Sequence, residues 1–150
     1  MELLIGTAIL AAAIGIGGGL YEFAVLDPAW PHRPSLVQPQ HGGVSRTRFW
    51  IPAHAVFELL LIAALVAAWQ AADIRQWLLI ALAIHAAMRI WSALDFIPKA
   101  LAFERTTTDD VSLEAARRWT SRSRLRMPLD LATLAALLMA FRTATHGIGI

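Results

Sequence analysis

Apolar residues fall along the chain in four long blocks, at about 3–26, 49–69, 77–98 and 124–141, with polar, proline-rich or charged stretches between them. A helix rises about 1.5 Å per residue, so roughly 20 mostly apolar residues cross a bilayer. Each block therefore reads as one spanning helix, the fourth being the shortest and the most polar where it begins. The pattern predicts an all-α integral membrane four-helix bundle that takes up the whole chain as a single domain, 1–150.

The connections differ in kind. After the first block, Pro28, Pro31, Pro34 and Pro39 make residues 27–48 an extended, irregular segment, suited to a lid or a docking surface. After the third block, residues 111–122 read as a short amphipathic helix on the cytoplasmic surface. Asp109, Asp110 and Glu114 stand at its start and arginines at its end, the charge order the helix dipole favours.

Composition agrees with a lipid solvent: 57% of the residues are hydrophobic, and the mean hydropathy is +0.55. The first block has no positive charge before it and is too long for the core of a signal peptide, so it reads as a retained helix. The chain has no cysteine, which excludes disulfides and thiolate chemistry.

Charge gives an orientation. Arg33, Arg46, Arg48, Lys99, Arg105, Arg117, Arg118, Arg122 and Arg124 follow the first and third blocks, whereas only Arg75 and Arg142 stand on the opposite side. By the positive-inside rule both termini are non-cytoplasmic. Attraction to anionic lipid accounts for the basic pI of about 9.9 without nucleic acid as a partner. Trp30, Trp50, Trp69, Trp77 and Trp119 lie near block ends, as interfacial anchors do, while Trp91 lies inside the third block. Gly15, Gly17, Gly18 and Gly19 give the first helix a face that another backbone can approach closely.

Ionisable groups inside spanning segments are costly, so each suggests a site. His54 and Glu58, His85 and Arg89, and Arg126 and Asp130 are pairs four residues apart, each pair on one helix face, and Glu22 follows Tyr21 on the first helix. Counted at about 1.5 Å per residue from block ends near Asp27, Phe49, Pro98 and Arg124, Glu22, His54 and Asp130 lie roughly 6 to 9 Å deep, Asp95 nearer the mouth at roughly 5 Å, and Glu58 and Arg89 roughly 13 to 15 Å. Arg126 falls at the rim. His85 falls past the midplane, outside the group, and about 12 Å from the level of His54, which also argues against a haem held between the two histidines.

These residues predict a polar pocket for acid–base chemistry on a lipophilic small molecule. Glu58 or Asp130 would act as acid or base with His54 as partner, and Arg89 would hold an oxyanion or carbonyl. Glu22 and Arg126 complete the catalytic candidates, and Tyr21, Trp50, Trp91 and Asp95 are the substrate-binding candidates. No cofactor is expected. A metal held by Glu22, His54, Glu58 and His85 is the alternative, although their spacing matches no specific metal motif and the arginines nearby oppose a cation. The rival to both is a set of interhelical ion pairs that only fixes helix register, for example Glu22 or Glu58 with Arg89 and Arg126 with Asp130. In that case the chain would be a non-catalytic subunit of a larger membrane complex or a homo-oligomer, docked by its glycine face and aromatic belt, or a membrane protein whose polar stripe holds a lipid or pigment.

One resemblance narrows the chemistry. Ala116-Arg117-Arg118-Trp119, then Arg124-Leu125-Arg126 and the apolar run from Leu129 to Phe141, resemble the closing Trp, polar gap, Arg and final helix of the anthrone-oxygenase-like family of small four-helix membrane proteins. Phe96-Ile97-Pro98-Lys99-Ala100-Leu101 is similar to a second landmark of that family, and the glycine-rich first helix to its opening. Lys99 stands where the family's usual asparagine region is expected, and the Gly-Leu-Tyr-Glu stretch with Phe49-Trp50-Ile51-Pro52-Ala53-His54 looks like a distinct branch. The resemblance implies oxidation of a flat, polyketide-type aromatic.

Overall fold

The computed structural model describes residues 1–146, all of whose regular elements are helical. The helices are α1 (Glu2–Tyr21), α2 (Thr47–Ala67), α3 (Ala72–Trp91), α4 (Ile97–Arg105), α5 (Leu113–Ser123) and α6 (Met127–His146). Short π-helical or 3-10 turns join several of them, so that four continuous rods result: Glu2–Leu26, Thr47–Ala67, Ala72–Arg105 and Leu113–His146. All four are long and apolar enough to cross a membrane. Their outer faces carry Leu10, Ile14, Leu59, Ile62, Ile90, Leu94 and Leu138, all exposed, which suits a lipid solvent better than water.

The four rods match the four apolar blocks, but two run further than the blocks do. The third was expected to end at Pro98. Instead Ser92–Phe96 forms a π-helical turn, and Pro98 falls in the first turn of α4, where a missing N–H removes no hydrogen bond. The fourth is the opposite of short, because α5 runs through one 3-10 turn at Arg124–Arg126 into α6. A second π-helical turn, Glu22–Leu26, ends the first rod, its last bond running from the Asp27 amide to the Glu22 carbonyl.

α3 packs along α6, α6 against α1, and α1 against α2. α2 and α3, although joined by a tight turn at 68–71, approach each other closely over a much shorter stretch. The apolar centre contains Ile5, Ala8, Phe57, Leu61, Leu78, Ala81, Leu137 and Ala140. Gly18 lets α1 reach α2 here: a Cβ on it would lie 2.3 Å from the ring of Phe49.

A second core lies at the end of the bundle where the long loop runs. The loop is not extended; it is a chain of 3-10 turns, Trp30–His32, Pro34–Val37 and Pro39–His41, laid over α4 and α5. Trp30, Val37, Phe96, Ala116 and Trp119 are buried together there. Trp30 and Trp119 are therefore not headgroup anchors. Their rings meet at 5.9 Å, and the Trp119 Nε1 donates to the Phe96 carbonyl. Arg46 lies buried over both rings, 5.6 and 5.0 Å from their centroids, and reaches Glu104 at 3.6 Å.

Gln38 locks the loop down. Its Nε2 donates to the carbonyls of Phe103 and Thr106 at the end of α4, and its Oε1 accepts from Thr108. The end of a helix leaves carbonyls without partners, and this fully buried amide supplies them from 65 residues away. Asp27, at the base of the loop, accepts a hydrogen bond from the Trp30 Nε1 at 3.3 Å. Burial, reinforced by Glu22, pushes its carboxyl up to about 6.

Candidate functional site

α2 runs toward the 68–71 turn and α3 runs away from it, and side chains lean toward the N-terminus of their own helix. Glu58 therefore leans away from the turn and His85 and Arg89 lean back toward it, so that these three converge, and His54, one turn before Glu58 on the same face, stands at the level of His85. The Arg89 Nε donates to Glu58 Oε1 at 3.0 Å, and His85 Nε2 meets the same oxygen at 3.3 Å. The rings of His54 and His85 lie 5.9 Å apart. His85, expected outside the group, is thus at its centre.

Aromatic neighbours fix both imidazoles. Trp50 stacks on His54 at 5.4 Å, and Phe57 meets His85 edge-on at 4.7 Å. His54 has no hydrogen-bond or ion-pair partner among the described residues, and neither has Asp130. Both line a small cavity of about 40 Å³ with His85, Thr133, Ala11, Ala12 and Gly15. That is room for one or two waters or a molecule of similar size, not for a fused ring system.

The opposite side of the cluster is open. The side chains of Glu58 and Arg89 remain 39% and 34% exposed, and exposed Leu59, Ile62 and Ile90 stand beside them in the sequence. An ion pair is therefore accessible from outside the bundle between α2 and α3, amid apolar surface. No family model, curated protein or solved structure matches this chain.

The remaining candidates divide. Glu22 accepts from the Trp50 Nε1 at 2.8 Å, so it supports the tryptophan that stacks on His54. Arg126 makes no ion pair with Asp130. It donates to the Ser123 carbonyl and the Ser92 hydroxyl and lies over the Phe96 ring at 4.5 Å, within the second core. Asp95 pairs with Lys99 and, at 2.7 Å, with Arg122. Trp91 packs against Phe96, and Tyr21 is exposed on the outside of α1. The cluster therefore brings together His54, Glu58, His85 and Arg89 directly, with Trp50 and Asp130 at its edges.

Sequence reasoning missed the pairing of His85 with Glu58 and the role of Thr133 in the cavity wall. The former was accessible by counting from the short turn: His54 stands 13 residues before Ala67 and His85 13 residues after Ala72, which places these two at one level, and Glu58 lies one helical turn nearer the 68–71 turn, on the same face as His54, so that its lean away from that turn brings it to His85. Thr133 carried no signal, since its hydroxyl is occupied by the Leu129 carbonyl and any small residue would serve.

Proposed function

We propose that this chain is a four-span membrane enzyme that acts on the polar end of a lipophilic small molecule taken from the bilayer. The observation that carries this reading is the half-open Glu58–Arg89 ion pair between α2 and α3, backed by His85 and by the unpartnered His54 and Asp130. Packing alone gives no reason to leave an ion pair open to lipid, since intramembrane polar contacts stabilise by only about 1 kcal/mol each. In this reading both termini are non-cytoplasmic, the loop and α5 lie on the cytoplasmic side, and the apolar body of the substrate stays in lipid.

Each group then has a task. Arg89 binds a carbonyl or developing oxyanion of the substrate, and this frees Glu58 to exchange a proton with it. His85, against the same oxygen, orients Glu58 and shares its proton. The inner cavity favours reactions with a second, small reactant, so oxygenation or hydrolysis fits better than isomerisation or cyclisation. The anthrone-oxygenase resemblance favours oxygenation of an aromatic.

The test is chemical. Lipid extracts of cells expressing the wild type and the Glu58→Gln and Arg89→Met variants are compared by untargeted mass spectrometry, with folding checked by gel filtration and circular dichroism. A lipophilic product present only with the wild type supports the enzyme; indistinguishable extracts from three folded proteins overturn it.

A second reading has one observation in its favour. Gly17 is exposed, a Cβ on it would meet nothing within 4 Å, and Leu10 and Ile14 are exposed on the same helix. That open face of α1 suits a second copy or a larger membrane complex, with the polar cluster serving only to organise the helices. Native mass spectrometry of gently extracted protein separates the two: a defined complex without a bound lipophile favours the accessory subunit.

A further inference from the structure

We infer that His54, Glu58 and His85 form a binding site for one first-row divalent metal ion, Zn²⁺ or Fe²⁺. One ligand atom from each lies within 4.8 Å of the others. Two histidines and one carboxylate are a common donor set for these ions, and they leave coordination positions open. His54 and Glu58 supply one helix face at a spacing of four, and His85 faces them from the next helix, the layout bundles use for metal sites.

The distances favour the assignment. Ligand bonds of about 2.0 to 2.2 Å at the tetrahedral angle set neighbouring donors roughly 3.4 Å apart. His85 Nε2 and Glu58 Oε1 are already 3.3 Å apart. His54 is further off, and a small rotation of its ring over Trp50 brings it in without breaking a hydrogen bond, since it makes none among the described residues.

Arg89 is the apparent objection, and geometry answers it. Its Nε donates to Glu58 from α3 without touching either imidazole, as an outer hydrogen bond to a ligating carboxylate does, and no hydrogen bond reaches Glu58 Oε2 from the described residues, so the carboxylate keeps lone pairs for an ion. His54 and His85 also line the 40 Å³ cavity, where Asp130 would hold a water beside the ion. Glu22, taken up by Trp50, lies outside the set. With no cysteine in the chain, the donors are nitrogen and oxygen only, which selects against Cu⁺.

The site deepens the enzymatic reading, but its test uses binding alone. Protein carrying a histidine-free affinity tag is stripped with chelator, and Co²⁺ is titrated in while its visible bands are followed; Zn²⁺ is then used to compete. The expected result is one ion per chain, with affinity at least about 10-fold weaker in each of His54→Gln, His85→Gln and Glu58→Gln. The triple variant His32→Ala, His41→Ala, His146→Ala is expected to bind as the wild type does. Folded wild type that takes up less than one ion, or His54→Gln and His85→Gln variants that bind unchanged, would overturn the site. If binding fails while the Glu58→Gln extract still lacks the wild-type product, the enzyme stands without the metal. If binding holds and the extracts agree, the metal stands without the enzyme.

Discussion

Arg89 on α3 donates its Nε to Glu58 on α2 across 3.0 Å, and the two side chains remain about equally exposed. Removing one partner strands the other among apolar side chains, whereas removing both leaves a neutral surface. Because the pair is only half-buried, Glu58→Ala is expected to destabilise by about 1 to 3 kcal/mol, below the range for fully buried pairs. The double variant Glu58→Ala, Arg89→Met should recover most of this. Thermal unfolding of the four proteins in one detergent measures the cycle, and strictly additive losses would mean the pair has no coupling.

Gly15 borders the inner cavity, and a Cβ built there meets nothing within 4 Å. Gly15→Val should therefore fold as the wild type does, within about 1 kcal/mol, while filling space reserved for a small reactant. In the enzymatic reading its product disappears from lipid extracts although every polar group is intact. A folded Gly15→Val protein that still forms the product would show that the cavity plays no part.

Gly42 and Gly43 are neighbours with different constraints. Gly42 adopts φ +80, so Gly42→Ala should cost about 1 kcal/mol through backbone strain. At Gly43 a Cβ would lie 2.1 Å from the Ser35 carbonyl oxygen and 2.7 Å from the Leu36 backbone. Gly43→Ala should therefore cost at least about 2 kcal/mol and lift the loop from α4. Limited proteolysis within residues 30–46 checks this, with faster cleavage expected in Gly43→Ala than in Gly42→Ala.

Gln38→Leu deprives the Phe103 and Thr106 carbonyls of their donor and Thr108 of its acceptor. A loss of roughly 2 to 3 kcal/mol is expected, as befits buried groups left unpaired. Hydrogen exchange should rise in residues 97–111 and stay unchanged in α2 and α3. Equal exchange in both proteins would mean that the loop is held by its tryptophans alone.

Asp27 makes the loop sensitive to acid in an unusual direction. Its folded value of about 6 lies above the ordinary 3.8, so the folded chain holds the proton more tightly than the unfolded chain. This contribution to stability is full below about pH 4 and is lost as pH rises through 6. The Asp27→Asn variant should remove that slope from a plot of unfolding temperature against pH. A wild-type slope that survives in Asp27→Asn would assign it to another group.

The four rods were legible because a 20-residue apolar run has few uses other than a spanning helix. An ion pair at Arg89 was legible too, since stripes on neighbouring helices must face each other to avoid lipid, but whether its partner is Glu22 or Glu58 was not, and the structure gives Glu58. Depth was misjudged where helix ends were placed by proline: Pro98 stops nothing, and counting from it displaced His85 from the level of His54, whose ring it meets at 5.9 Å. Counting from the tight 68–71 turn avoids the error, because a short connection leaves two helices little freedom to slide. The second core was not legible. Trp30, Gln38 and Arg46 meet partners 58 to 89 residues away, and no local periodicity encodes such contacts.

The π-helical turn at Ser92–Phe96 has a consequence for how this sequence can vary. Such a turn holds one residue more than the α-helical path it replaces, and each helical residue accounts for about 100° of rotation. Removing one residue between 92 and 96 would therefore restore the regular helix with α4 facing as it does now, whereas removing one from a regular helix would swing all that follows by about that angle. Phe103 and Glu104 would keep Trp30 and Arg46 as neighbours, and the loop its footing. Relatives of this protein should therefore tolerate a one-residue difference in length here, provided that the buried Phe96 and the paired Asp95 are kept.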